Sequence, residues 1–182
     1  MNLPNFDNKS YLDKYKKFEN TVGFQIGAAD VYKMWPIENF IELAKQIISL
    51  DNEIKIVITG IKQEYSLAQK VVQECGDNII NMCGECNIEE LPYLVQNFKA
   101  LITNDTGTMH LAIALKTPTV SLFSPTTSIG IGPYQDVAIH KVIQKDGSYI
   151  QKLPKKKRSD EAMKLISVNE VFETYNNIRY GK

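Results

Sequence analysis

The stretch "ALITNDTGTMHLAIALKTPTVSLFSPT", residues 100–126, decides the fold. An apolar run ends in Asn104-Asp105-Thr106-Gly107-Thr108, a helix-like run containing His110 follows, and a second apolar run ends in Ser124-Pro125-Thr126. Strand, small polar turn, helix and strand in that order make a βαβ unit, whose two strands lie parallel.

The same rhythm extends outward in both directions. "TVGFQIG" (21–27), "EIKIVITG" (53–60) and "NIINM" (78–82) read as buried strands, the first two ending in Gly. "PIENFIELAKQIISL" (36–50) places Ile37, Phe40, Ile41, Ala44, Ile47 and Ile48 at helical spacing behind Pro36, which suits a first turn. "EYSLAQKVVQEC" (64–75) and "NIEELPYLVQNF" (87–98) are further helices, with Asn87 as N-cap of the second. Strands are expected at 99–104, 117–124 and 137–143, a helix at 108–116, and a closing helix at 167–180 capped by Ser167. Strands alternating with helices predict an α/β fold, a three-layer Rossmann-like domain with a mainly parallel sheet over residues 21–182. Residues 1–20 are expected to be a polar N-terminal segment or linker, without a clear tie to the core.

Composition narrows the function classes. Lys+Arg and Asp+Glu both count 21 in 182 residues, so no global field favours nucleic acid. No apolar run reaches the ~20 residues of a membrane span, and the first 20 residues carry no apolar signal core. A cytoplasmic location is the expectation. Cys83-Gly84-Glu85-Cys86 is formally a C-x-x-C. The only histidines, His110 and His140, lack paired spacing for zinc, and a Gly-containing turn stands where a redox helix should open, so plain thiols are expected. Lys155-Lys156-Lys157-Arg158 reads as a solvated basic turn, or more sharply as contact with an anionic acceptor or membrane surface.

In parallel sheets, ligands bind outside the carboxyl ends of the strands. Those ends carry Gly27-Ala28-Ala29, Thr59-Gly60, Asn104 to Thr108 and Ser124 to Thr127, small residues that leave room for a ligand. A helix opening near Thr106–Thr108 offers unpaired N–H groups and a positive dipole end to a phosphate. Gly107 permits close approach, and the Thr106 and Thr108 hydroxyls add donors. The plainer reading is N-capping by Asp105 or Thr106, with His110 a packed helix residue. Neither G-x-G-x-x-G nor a P-loop motif is present, which disfavours dinucleotide dehydrogenases and P-loop ATPases.

"TNDTGTMHLAIALKTPTVSLFSPT" closely resembles the D-T-G-x-x-H-L-A-x-A-L…P-T-V-x-L-F-G-P-T signature of glycosyltransferase family 9, the ADP-heptose:lipopolysaccharide heptosyltransferases. "IGAADVYKMWPIENFIELAKQI", "IVITGIKQEYSLAQKV", "INMCGECNIEELPYLVQNFKALITNDTG" and "AMKLISVNEVFETY" resemble further segments of that family, in order, across residues 22–178. The sequence departs from the pattern at Ile26, Ser124 and Thr127. The resemblance implies the C-terminal, donor-binding half of a two-domain GT-B enzyme. It implies inverting, metal-independent transfer of heptose from ADP-heptose to a lipopolysaccharide or related glycan, with no cofactor. The catalytic base and the acceptor site would lie in the other domain, leaving this chain alone inactive. The alternative is a stand-alone, non-catalytic nucleotide-sugar-binding module. By position, Lys33 would neutralise a donor phosphate, and Asp105, Thr106, Gly107 and Thr108 would hold the diphosphate. His110 would brace that turn or touch the donor, and Glu64, beside Gly60, would bind the ribose hydroxyls. Met34 and Trp35 would wall the pocket, core packing being the other reading of Trp35. Peripheral contact with the inner membrane surface is a further implication.

Overall fold

The computed structural model describes residues 8–181. Six strands form one parallel sheet in the order β3-β2-β1-β4-β5-β6: β1 Thr21–Gln25, β2 Ile56–Thr59, β3 Ile79–Asn81, β4 Phe98–Asn104, β5 Thr119–Phe123 and β6 His140–Gln144. The helices are α1 Lys9–Tyr15, α2 Ile37–Leu50, α3 Tyr65–Cys75, α4 Leu91–Val95, α5 Gly107–Ala114, α6 Ser148–Gln151 and α7 Val168–Tyr180. The α/β architecture predicted from the strand–helix rhythm is the one observed.

Both faces of the sheet are covered, and the strand period of two sorts side chains between them. Ile56 and Ile58 of β2 join Phe24, Ala100 and Ile102 in a core against Phe40, Leu43, Ala44 and Ile47 of α2, Val71 of α3 and Tyr175 of α7. Val57 points the other way and meets Leu101, Phe98, Tyr15 of α1, Leu94 of α4 and Ala112 of α5. A side chain at Gly23 would strike the Phe98 ring, so this strand glycine admits the aromatic ring from the neighbouring strand.

Three expectations are corrected. Residues 9–18 do tie to the core: Tyr15 and Phe18 are buried, Lys14 pairs with Glu90 at 2.8 Å, and the Tyr15 hydroxyl donates to Glu90 at 3.0 Å. The reason is amphipathicity that a short, Lys-rich sequence conceals. Residues 1–7 of that segment lie outside the described residues. The helix expected over 87–98 shortens to α4, although Asn87 Oδ1 does accept the Glu89 and Glu90 N–H groups, capping the turn that leads into it. The last strand begins at His140 rather than 137.

On β6, His140 is 3% exposed and pairs across the ladder with Thr119, whose hydroxyl lies 3.1 Å from Nδ1. Its Nε2 is buried and has no partner among the described residues. Burial depresses its pKa below the usual histidine value, with Asp136 acting weakly in the opposite sense. The unfolded chain therefore binds a proton before the folded one, and stability falls as pH drops through about 6.5. Thermal melts from pH 7 to about 5 should show a falling Tm in the natural sequence and a flatter profile in His140→Gln. Parallel profiles would mean that His140 does not carry this acid sensitivity.

Candidate functional site

The order β3-β2-β1-β4-β5-β6 reverses direction between β1 and β4, and at such a crossover the following loops diverge to leave a crevice. A cleft of about 680 Å³ opens there. Its floor is Gln25, Ala28, Ala29, Thr59 and Gly60, and one end is Thr106-Gly107-Thr108 at the start of α5. Ile61 and Glu64 line its β2 side, and Met82, Cys86, Ile88, Leu91, Pro92 and Leu111 form an apolar wall.

Asn104, fully buried at the end of β4, fixes this crevice. Its Nδ2 donates to the Ile26 carbonyl at 2.9 Å and more weakly to those of Gln25 and Gly27, while its Oδ1 accepts the Trp35 N–H at 3.0 Å. The segment after β1 is thereby held against the head of β4, which brings Lys33 onto Asp105. Nζ and Oδ2 are 2.8 Å apart, with side chains 20% and 11% exposed. Asp105 also accepts from the Thr126 hydroxyl at 3.1 Å.

Asp105 therefore does not cap α5. Thr106 is the N-cap residue, in extended conformation, and its hydroxyl faces that of Thr103 at 3.3 Å instead of a helix N–H. The first N–H groups of α5 receive no side-chain cap, and the residues that carry them line the cleft end. A Cβ added at Gly107 would meet nothing within 4 Å, so the fold itself does not need glycine there. Gly107 is exposed and is one of the residues lining the cleft.

Glu64 is held by its own turn. Oε2 accepts the Ile61 N–H at 3.0 Å, while Oε1 has no partner among the described residues. Burial pushes its pKa up, and the Ile61 hydrogen bond offsets part of that rise. Side chains at Gly27 or Gly60 would collide with this carboxylate. The glycines expected to admit a ligand to the backbone at these strand ends thus admit Glu64 instead. One carboxylate oxygen is left to accept hydrogen bonds at the cleft.

Other expected residues lie elsewhere. Trp35 is 1% exposed, stacks edge-on against Phe40 at 4.9 Å and donates its indole N–H to the Ile166 carbonyl at 3.0 Å, so it is core and not pocket wall. Met34 is half-buried and does not line the cleft. His110 is exposed, away from the lining, and its ring makes no hydrogen bond among the described residues. The wall comes from the β3–α4 segment and α5, and Ile88, 81% exposed, stands at its lip. A Met/Ile/Leu/Pro set near a strand end was readable as apolar, but only the topology turns it toward β1.

The basic run is partly engaged. Lys155 pairs with Asp30 at 3.0 Å, and Arg158 lies over the Tyr32 ring while donating to the Gln151 and Leu153 carbonyls. Lys156 and Lys157 are exposed. Cys83 is buried, which pushes its thiol up to about 12, and Cys86 accepts from the Tyr15 hydroxyl. Among the described residues no three His, Cys, Asp or Glu side chains group as metal ligands, and no helix is long and apolar enough to cross a membrane.

The profile of glycosyltransferase family 9 (heptosyltransferase) matches residues 3–165. The lipopolysaccharide heptosyltransferase 2 of Escherichia coli K12 is 31% identical over 109 residues, which are 58% of this chain and 30% of that protein. The structure of E. coli ADP-heptose lipopolysaccharide heptosyltransferase II superposes with a TM-score of 0.77 at 22% identity, covering 100% of this chain and 53% of that one. A family 9 glycosyltransferase from Veillonella parvula gives 0.78 at 25% identity, covering 96% and 53%. The chain thus spans about half the length of these solved relatives.

The Lys33–Asp105 pair makes opposite predictions for its two members. Lys33→Ala removes a cation and leaves the Asp105 carboxylate uncompensated beside the turn. A charged hydrogen bond is worth ~1.5–3 kcal/mol, so affinity for inorganic pyrophosphate should fall roughly tenfold or more. Asp105→Asn frees Lys33, so pyrophosphate affinity should hold or rise while the Tm falls. Calorimetry and melting on both variants test this; equal losses of affinity in the two would place the anion away from the pair.

Proposed function

The chain belongs to glycosyltransferase family 9, the heptosyltransferases, and from that membership we propose that it is the donor-binding half of an enzyme transferring heptose from ADP-heptose to a lipopolysaccharide or related glycan. The observation that carries this reading is the three-part character of one cleft: an apolar wall, a carboxylate with a free oxygen, and an uncapped helix start. A nucleoside diphosphate has the matching three parts. Its base suits the Met82, Ile88, Leu91 and Leu111 surface, and the ribose diol donates to Glu64 Oε1. The diphosphate meets the N–H groups of Thr106, Gly107 and Thr108, while Lys33, which does not itself line the cleft, cancels the charge of the neighbouring Asp105.

In this reading catalysis on the donor side is electrostatic. As the bond between sugar and phosphate breaks, negative charge builds on the departing diphosphate. Fixed N–H dipoles stabilise it without reorganisation. The α5 dipole and its N–H groups do the work that a divalent cation does in other nucleotide-sugar enzymes, with Lys33 keeping the adjacent Asp105 from repelling the phosphates. The transfer is read as inverting. The base that activates the acceptor, and the acceptor itself, belong to the part of the enzyme beyond this half. In this reading the enzyme works in the cytoplasm at the inner membrane surface, to which the exposed Lys156 and Lys157 offer charge.

Titration calorimetry of this chain with ADP, in EDTA and then with Mg²⁺, should give binding of similar strength in both. Binding only with Mg²⁺ would overturn the metal-independent reading, and no binding at all would overturn the donor-site reading. Gly107→Ala refines the test. A methyl group there meets no protein atom, and Gly→Ala at a compatible position commonly adds ~0.4–1 kcal/mol of stability. The variant should melt no lower than the natural sequence yet bind ADP more weakly, and unchanged affinity would take the α5 start out of the site.

A further inference from the structure

Gln25, the last residue of β1, is 7% exposed and lines the cleft floor. Its Oε1 accepts two hydroxyl hydrogen bonds, from Thr59 at 2.9 Å and from Thr108 at 3.1 Å. The Thr59 hydroxyl lies nearer to this oxygen than to the Phe24 carbonyl, which is 3.3 Å away. The amide NH₂ is then left over. It has no partner among the described residues, and it is not walled in, since the buried polar atoms lacking partners there are those of Ser124, His140 and Asn176.

A nearly buried amide normally satisfies its donors, because an unmet N–H costs free energy once water is thinned around it. Here the protein saturates the acceptor end and leaves the donor end open on the cleft. A ligand at this point therefore meets donors only. The place along the cleft follows from the two threonines. Thr59 adjoins Gly60, Ile61 and Glu64, the nucleoside end; Thr108 belongs to the start of α5, the phosphate end. Between ribose and terminal phosphate, the acceptor-rich group of a nucleoside diphosphate is the phosphate attached to the ribose.

We propose that Gln25 is a specificity-determining residue whose amide NH₂ donates to the ribose-linked phosphate of the bound nucleotide, with Thr59 and Thr108 holding the amide in that orientation. This rests on the donor-site reading above. Gln25 registers the nucleotide along the cleft: with this phosphate fixed, the following phosphate falls at the Gly107 N–H. It also explains why a polar side chain ends a strand otherwise built of buried apolar and small residues.

The test compares ADP, AMP and adenosine by calorimetry on the natural sequence, Gln25→Met and Gln25→Glu, with melting curves for each. Gln25→Met keeps the length and removes the donors. Gln25→Glu keeps an acceptor for both threonines and replaces the NH₂ by an anionic oxygen. Loss of a hydrogen bond to a charged group predicts roughly tenfold weaker ADP and AMP binding for Gln25→Met, and a larger loss for Gln25→Glu. Adenosine, which lacks the phosphate, should bind all three proteins alike. If the Met variant melts below the assay temperature, the ADP-against-adenosine contrast in the Glu variant decides. ADP binding to the natural sequence with unchanged affinity in the variants would overturn the role of Gln25 and leave the donor site standing. An equal loss for adenosine would overturn the assignment to phosphate. No ADP binding by the natural sequence would overturn both readings.

Discussion

The cleft depends on one buried side chain, Asn104. β1 and β4 are adjacent in the sheet, and the chain leaves them toward different partners. Nothing in the ladder itself fixes the path of residues 26–35 once β1 has ended. Asn104 supplies that path by donating to carbonyls after β1 and accepting the Trp35 N–H. Each of these groups is buried, and leaving one unmet costs about 1–3 kcal/mol, so the amide is nearly irreplaceable. From this one side chain follow the burial of Trp35 and the position of Lys33. The pairing of Lys33 with Asp105 follows in turn, and with it the orientation of the α5 start.

The charges are layered around that frame. Lys33 and Asp105 neutralise each other one residue before the uncapped helix start, so the end of the cleft is poised without carrying a large net field. Glu64 sits on the opposite side with a pKa raised by burial. On acidification that carboxylate would take up a proton before ordinary surface carboxylates do, losing its negative charge and turning one acceptor oxygen into a donor. The Gln25 amide lies between the two and is neutral at every pH at which the fold persists.

Much of this was legible in the chain. Alternating apolar runs and amphipathic helices dictated a parallel α/β sheet because period two and period 3.6 leave different imprints. The turn at Asp105–Thr108 announced itself by small polar residues at a strand end. What could not be read was which polar group meets which. Asp105 looks like a helix cap from its position, yet a lysine 72 residues earlier claims it. Trp35 stands two residues from Lys33 and looks like a pocket wall, but a backbone carbonyl at Ile166 draws its ring into the core. Tyr15 sits in a lysine-rich stretch that suggests a solvated tail. Its burial depends on Glu90 and Cys86, more than 70 residues away. In each case the deciding partner is remote in sequence, so no local pattern carries the information. The apolar wall from Met82 to Leu111 escaped for the same reason.

The two glycines that embrace Glu64 have a consequence for how such a sequence can change over time. A side chain at position 27 or 60 collides with the carboxylate where it now lies, so neither glycine can be exchanged while Glu64 keeps this place. The reverse order is open: a shorter residue at 64 clears position 27 and leaves position 60 only the Cys83 sulfur, 2.9 Å away, to contend with. Displacement or replacement of the residue at 64 is thus a gate through which drift at 27 and 60 must pass. A lineage that has gone through the gate and refilled the slot cannot return by a single step. Three positions spread over 38 residues therefore behave as one inherited unit, whose history is ordered by excluded volume.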